Sequence, residues 1–200
     1  MANQRISRII PIALTLIVVA VSIAALISLA RNIFFPGDVK TSSQSDISKE
    51  SLLSTAIDRS VSMTVRGKII ADESFRSYKI LVTPTSRNMT IYKGYLAEPI
   101  QSIPLENNTP SYEQFVYALY KANFMKGNEL TGDNNDIRGT CAAGYIYEFQ
   151  ISKADKPVKR LWTSTCSGSK GSFSASVGQT TNLFIAQVPD AKTLINKLWQ

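Results

Sequence analysis

Ser60-Val61-Ser62-Met63-Thr64-Val65-Arg66 sets an apolar side chain at every second position, with polar residues between. That period of two marks a strand with one buried face and one wetter face. The strand is expected to run past Gly67 to Ile70. After a turn at Asp72-Glu73-Ser74, Tyr78, Ile80 and Val82 alternate with Lys79, Leu81 and Thr83. Pro84 to Asn88 reads as another turn, and Met89 to Tyr95 as a third strand. Connections this short make an antiparallel meander. Pro99, Pro104 and Pro110 punctuate the next stretch, leaving room for one short edge strand near Ile100 to Ile103.

Thr109-Pro110 reads as a helix start, with Thr109 as the cap and Pro110 in the first helical position. Tyr112, Phe115, Val116 and Leu119 form its apolar stripe, and Gly127 is the expected end. Asn128 to Gly139 is polar and reads as a loop. Toward the C-terminus, Ser176 to Gln187 is expected to be a helix burying Val177, Leu183 and Phe184. A last helix begins at Pro189 and carries Leu194, Ile195, Leu198 and Trp199 on its apolar face.

Two cysteines, Cys141 and Cys166, bracket two strand-like runs, about Cys141 to Ile151 and Val158 to Cys166. Ser152 to Pro157 separates the runs as a polar turn. Folded about its midpoint, this hairpin sets Cys141 opposite Cys166, Tyr145 opposite Trp162, Tyr147 opposite Arg160 and Phe149 opposite Val158. It also sets Glu148 opposite Lys159. Opposed residues in such a ladder have Cα atoms about 4.5–5.5 Å apart, within reach of a disulfide. A Cys141–Cys166 bridge is therefore expected, contributing roughly 3 kcal/mol in the chain-entropy model. No Cys-x-x-Cys pair suggests redox chemistry. Tyr145, Tyr147, Arg160 and Trp162 are the candidate aromatic and basic binding face, Tyr147 and Arg160 as a cation–π pair. The plainer reading makes the aromatics core or cross-strand pairs.

The rest of the 200-residue chain bounds the function. Ile9 to Ala30 is apolar and uncharged, long enough to cross a hydrocarbon core of about 30 Å. Arg5 and Arg8 flank one end and Arg31 the other. The expected organisation is a cytoplasmic tail at 1–8, a single transmembrane helix at 9–30 and a tether at 31–59. That tether holds a short helix over Lys49 to Arg59. An extracytoplasmic α+β domain occupies 60–200. A cytoplasmic N-terminus at the cell membrane suits the short tail and the oxidising side that the cysteines favour. The alternative is a signal peptide cleaved after Ala30.

Histidine is absent, which excludes Ser–His and Cys–His catalysis and most zinc chemistry. The formal charge is +7, and beyond Pro36 it falls to a mild +4, from 19 bases and 15 acids. No basic run of the kind nucleic-acid binders carry is present. No cofactor motif is found. Ser167-x-x-Lys170 has the spacing of a Ser/Lys nucleophile but lacks the companion elements of that chemistry. Asp133-Asn134-Asn135-Asp136 crowds oxygens without the glycine and distal glutamate of a calcium loop.

Leu161-Trp162-Thr163-Ser164-Thr165-Cys166, with Gly171-Ser172-Phe173, Leu183-Phe184 and Gln187-Val188-Pro189-Asp190, resembles uncharacterised single-pass, membrane-anchored extracytoplasmic proteins of small-genome bacteria. No function comes with that resemblance. The order of strands, helix and disulfide-bearing strand pair is also distantly similar to secreted subtilisin-inhibitor-like domains, without their second disulfide.

The fold expectation is α+β: an antiparallel sheet of about five strands, one central helix on a face, and C-terminal helices beside it. The leading functional expectation is a non-catalytic binding or cell-envelope interaction module. Its partners would be the lipid bilayer through residues 9–30 and an envelope protein or cell-wall polymer, not nucleic acid. A protease-inhibitor-like domain ranks second and a hydrolase third. An inhibitor should expose a rigid convex loop, a hydrolase a cleft with perturbed carboxylates, and a binding module an aromatic or basic surface. Deleting residues 1–35 is expected to turn a membrane-pelleting protein into a soluble one. Continued pelleting of the shortened chain would contradict a single anchor.

Overall fold

The computed structural model describes residues 48–199, together with Val19 and Ser22. Apart from those two helical residues, the expected tail, membrane span and most of the tether lie outside the described residues. Among the described residues no helix is long and apolar enough to cross a membrane. The chain divides into two compact units, Met1–Gln44 and Ser45–Gln200, and the sheet with its covering helices belongs to the second.

A helical turn at residues 48–53 comes first. Six strands and three helices come after it. They are β1 (Arg59–Arg66), β2 (Arg76–Val82), β3 (Ser86–Lys93), β4 (Glu98–Glu106), α1 (Thr109–Lys121), β5 (Ile146–Lys153), β6 (Lys156–Ser164), α2 (Val177–Ile185) and α3 (Ala191–Leu198). The strands make one sheet in the order β4-β3-β2-β1-β5-β6, with every neighbouring pair antiparallel. The α+β class is therefore present, with six strands where about five were expected. β1 is interior: it pairs with β2 on one side and β5 on the other.

The period of two in β1 decides what each face does. Val61, Met63 and Val65 are buried, and the register sets them against Val82, Ile80 and Tyr78 on β2. Across β1–β5 they meet Ile151, Phe149 and Tyr147. These rows form one continuous apolar face, extended by Met89 and Ile91 on β3 and Leu161 on β6. The helices cover it. Tyr112, Phe115, Val116 and Leu119 of α1 are buried in the same core, as are Leu52, Phe124, Phe173 and Phe184. Phe124 meets Phe149 edge-on at 5.7 Å, and Phe115 meets Phe184 at 5.2 Å. The opposite face carries Ser62, Thr64 and Arg66 from β1, Lys79 from β2, and Asn88 and Thr90 from β3.

Several boundaries differ from the sequence expectation. The helix expected over Lys49–Arg59 stops at 53, and β1 already starts at Arg59. The short edge strand is nine residues long; it carries Pro99 and Pro104, which the outermost position of the sheet tolerates. The cap of α1 is Asn108, not Thr109: its side chain accepts from the Ser111 backbone N–H at 2.9 Å. α1 ends at Lys121 rather than near Gly127, because Asn123 turns the chain at φ +56° and Phe124 drops into the core. Gly127, at φ +139°, instead bridges Phe173 so closely that a Cβ there would collide with the Ser172 carbonyl.

The β5–β6 hairpin turns on two residues, not six. Ala154 and Asp155 sit at φ +47° and +60°, the pair of left-handed residues a tight hairpin needs. Pro157 belongs to β6, which is an edge strand. With a register shift at Ile151/Ser152, the ladder pairs Glu148 with Trp162, Phe149 with Leu161 and Tyr147 with Thr163. The expected pairs Tyr145–Trp162, Tyr147–Arg160, Phe149–Val158 and Glu148–Lys159 are thus replaced. The Cys141–Cys166 disulfide is nonetheless formed, with Cα atoms 5.6 Å apart. It lies beyond the ladder's end and joins the segments that lead into and out of the hairpin.

Tyr112 is fully buried, and its hydroxyl has no hydrogen-bond partner among the described residues. Burial pushes its pKa far above the ordinary phenol value of 10, and does the same to Tyr78. With folded values raised, the stability these neutral phenols contribute is intact below pH 10 and is lost as pH climbs beyond it. Tyr112→Phe removes an unpaired hydroxyl without opening a cavity. It is expected to leave stability at pH 7 unchanged or up to about 1 kcal/mol higher. The alkaline unfolding midpoint should also move upward. A loss of stability at neutral pH would show that the hydroxyl is bonded.

Candidate functional site

The four residues expected to share a binding face do not share one. Tyr145 and Tyr147 point to the helix-covered face, half-buried against the main core. Arg160 and Trp162 lie on the other, because an odd register shift exchanges the faces of one strand relative to its partner. Tyr147 has its pKa raised by burial and then by Tyr145 beside it.

Trp162 is 4% exposed and forms a small second core with Ile146, Cys141, Cys166, Leu130 and Ile137. The loop from Asn128 to Tyr145 thus folds over the β5–β6 end of the sheet, and the disulfide pins it there. Close approach demands glycine at two places. A Cβ on Gly144 would meet Thr165 Oγ1 and lie 2.8 Å from Cys141 Sγ. Gly171, at φ +70°, packs on the Trp162 backbone and indole.

At the edge of this small core, Glu148 is clamped by two guanidinium groups. Arg66 Nε donates to its Oε1 at 2.7 Å, and Arg160 Nε donates to its Oε2 at 2.9 Å. The acid's side chain is 12% exposed, while Arg66 and Arg160 remain partly open to water at 38% and 26%. Both of its oxygens are committed, which suits tying β1, β5 and β6 together more than proton transfer. The Asp133–Asp136 stretch falls on a short 3-10 turn at Gly132–Asn135, and two of its side chains are engaged. Asn135 Oδ1 lies 3.4 Å from Arg160 Nη1, and Asp136 accepts from Arg138. Hydrogen bonds from Arg138 hold the Asp136 carboxyl down at about 2. Among the described residues no cluster of three or more His, Cys, Asp or Glu side chains forms that could hold a metal ion. Lys170 and Ser167 lie in the loop after β6, where the Lys170 carbonyl accepts from Thr163 Oγ1 at 2.9 Å.

The surface that best fits a binding role lies at the sheet end where β1 leaves and β2 begins. A cavity of about 500 Å³ opens there between that connection and the end of α3. Its cationic lining is Lys68, Arg76 and Lys197; Tyr145, Trp199 and Ile70 supply aromatic and apolar wall, and among the described residues no acid lines it. Trp199 follows α3 and meets Tyr145 edge-on at 5.1 Å, with Tyr78 behind it at 6.2 Å. Gly67 makes room for this indole: a Cβ there would lie 2.7 Å from the Trp199 ring. Arg76 donates to the carbonyls of Glu73 and Phe75, at 2.8 and 3.0 Å, and makes no ion pair among the described residues. Lys68 and Lys197 form no ion pair among the described residues.

An exposed apolar tip adjoins the cavity. Ile69 and Ile70 are about half exposed, as is Tyr95, and Leu96 is 97% exposed at the β3–β4 turn. The tip is fixed. Tyr95 Oη donates to the Ile70 carbonyl at 2.6 Å and accepts from the Ile70 N–H at 3.1 Å. Its ring stacks on Phe75 at 4.2 Å, and its backbone N–H donates to Asp72 Oδ1 at 2.7 Å.

Of the four sequence candidates only Tyr145 reaches this site. Lys68, Arg76, Lys197 and Trp199 were missed because they come from separate segments that only the fold brings together. The one local signal is Ile69-Ile70, two adjacent isoleucines beyond the end of β1. No family model matches the chain, and no curated protein matches it.

Proposed function

We propose that the domain is a binding module of the cell envelope, displayed outside the cytoplasm by the apolar segment 9–30. Its sheet-end cavity would receive an acidic group from an envelope protein, with apolar residues of that partner resting on the Ile69–Ile70–Leu96 tip. The observation that carries this reading is the cavity of about 500 Å³ whose wall combines three cations with Trp199 and Tyr145 and, among the described residues, holds no acid. Such a wall attracts an anion and also offers flat surface for a side chain to pack on. The rigid tip beside it adds apolar area that needs no ordering on binding.

A protease-inhibitor-like role draws on the same tip, which is rigid and convex. The backbone there is against it. Gly94 and Ala97 are at φ +70° and +56°, and the Ala97 N–H bonds the Gly94 carbonyl at 3.2 Å. That is a closed turn, whereas a protease cleft binds an extended strand. A hydrolase role finds little support in Glu148, since both its oxygens are held by arginines.

The reading is tested with the full chain in its own membrane, carrying a photo-crosslinking residue at Leu96. A discrete adduct with an envelope protein is expected. The Lys68→Glu, Lys197→Glu double variant should lower its yield at least about fivefold, as two reversed charges at a rim imply. A control reversal at Arg138, 89% exposed and not among the cavity's lining residues, should leave the yield unchanged. Equal yields from all three proteins would contradict the proposal, and an adduct with cell-wall polymer alone would reassign the partner.

A further inference from the structure

Beside the outer edge of β6, on the helix-covered face, a lysine is buried without a counter-ion. Lys159 is 8% exposed. Its ammonium donates to the Met125 carbonyl at 3.0 Å, and it makes no ion pair among the described residues. The acid that acts on it is Glu129, whose Oε1 is taken by the Arg160 backbone N–H at 2.6 Å. An ammonium withdrawn from water with one neutral acceptor is an unfavourable arrangement. Burial accordingly pulls its pKa below the ordinary lysine value.

A cavity of about 270 Å³ opens next to it, between the helical turn at 48–53, the end of α1 and the Asn123–Lys126 turn. Two more lysines line it, Lys49 and Lys126, and no acid does among the described residues. Lys49 Nζ sits 5.2 Å from the centroid of the Tyr120 ring, so its compensation there is a cation–π contact. The Asn123–Lys126 turn is closed by the Lys126 N–H on the Asn123 carbonyl at 2.8 Å, which fixes where the Lys126 side chain starts. Leu52 and Phe124 complete the wall with apolar surface. Three like charges gathered around one hollow repel one another until an anion enters.

We propose that this cavity is a phosphate-binding site, with Lys159 as its buried anchor and Lys49 and Lys126 closing on the anion from the rim. Lysines favour phosphate over carboxylate here. Three ammonium groups are point donors that suit a compact, highly charged oxyanion, and no guanidinium offers the planar fork that pairs with a carboxylate. The volume exceeds that of one phosphate group, so the apolar wall takes the carbon skeleton to which the phosphate is esterified. The phosphate belongs either to a lipid headgroup or to a soluble phosphoester. The site shares no lining residue with the sheet-end cavity, so either site can fail without the other.

The test uses the purified full chain in a neutral detergent. It is titrated with inorganic phosphate, with glycerol 3-phosphate and with mixed micelles containing phosphatidylglycerol, at constant ionic strength. Thermal midpoint and ³¹P line width are followed. All three probes should saturate. Lys159→Met should abolish saturation. The Lys49→Gln, Lys126→Gln double variant, whose changes lie at the rim and spare the fold, should weaken binding about tenfold or more, as loss of charged hydrogen bonds implies. The Lys68→Gln, Lys197→Gln variant should bind as the unaltered chain does. Tighter binding of phosphatidylglycerol than of glycerol 3-phosphate identifies a headgroup site, and equal binding a soluble phosphoester site; both support the proposal. Unchanged binding by the Lys49→Gln, Lys126→Gln variant, or a response that chloride reproduces, would overturn it.

Discussion

The sheet depends on one interior strand being satisfied on both sides at once. β1 takes its hydrogen bonds from β2, its neighbour in the chain, and from β5, some eighty positions later. Its Val61 and Met63 are fully buried, and Val65 is nearly so. Burying side chains of this kind is worth about 1.5–3 kcal/mol each. No one-sided hairpin could shield them, so the β2–β3–β4 meander and the β5–β6 hairpin join through this strand into one sheet. The rest of the core is built on the resulting face: α1 covers it, Phe124 and Phe173 fill around Phe149, and Phe184 closes against Phe115.

The same strand positions the surfaces that could bind something. Val65 stands opposite Tyr78 on one side and Tyr147 on the other. Trp199 rests against Tyr78 and Tyr145 at that end of the sheet, and Gly67, directly after β1, leaves space for it. On the opposite face, Arg66 at the end of β1 reaches Glu148, which also receives Arg160. That three-strand clamp sits next to the small core around Trp162, where the disulfide holds the long loop down. Stability and display are therefore coupled at this end of the molecule. Tyr145 and Trp199, which pack together there, also line its cavity.

Alternation in β1 and β2 was legible from sequence because each has one buried and one wetter face, whereas the third strand, expected at Met89 to Tyr95, runs Ser86–Lys93. The stripe Tyr112, Phe115, Val116 and Leu119 was legible for the corresponding helical reason, and all four are buried. The Cys141–Cys166 bridge was found through a register that is not the real one. The true ladder is shifted by three: two because the turn falls at Ala154-Asp155, where Ala154 is an unusual residue for a left-handed position, and one at the bulge between Ile151 and Ser152. The disulfide survives that error because it lies outside the ladder, on segments with freedom to adjust. The binding face did not survive it. Tyr145 and Tyr147 went to one side, and Arg160 and Trp162 to the other. The two lysine-lined cavities were out of reach for another reason. Each gathers residues from several distant segments, and scattered lysines carry no periodicity to read.

The role of β1 as the strand shared between two hairpins is open to direct measurement by native-state amide hydrogen exchange. Amides of Val61 to Val65 should exchange only through global unfolding, as slowly as the slowest in β2 and β5. If those amides instead exchange at loop-like rates while β5 and β6 stay protected, β1 does not join the two halves, and the single six-stranded sheet is wrong.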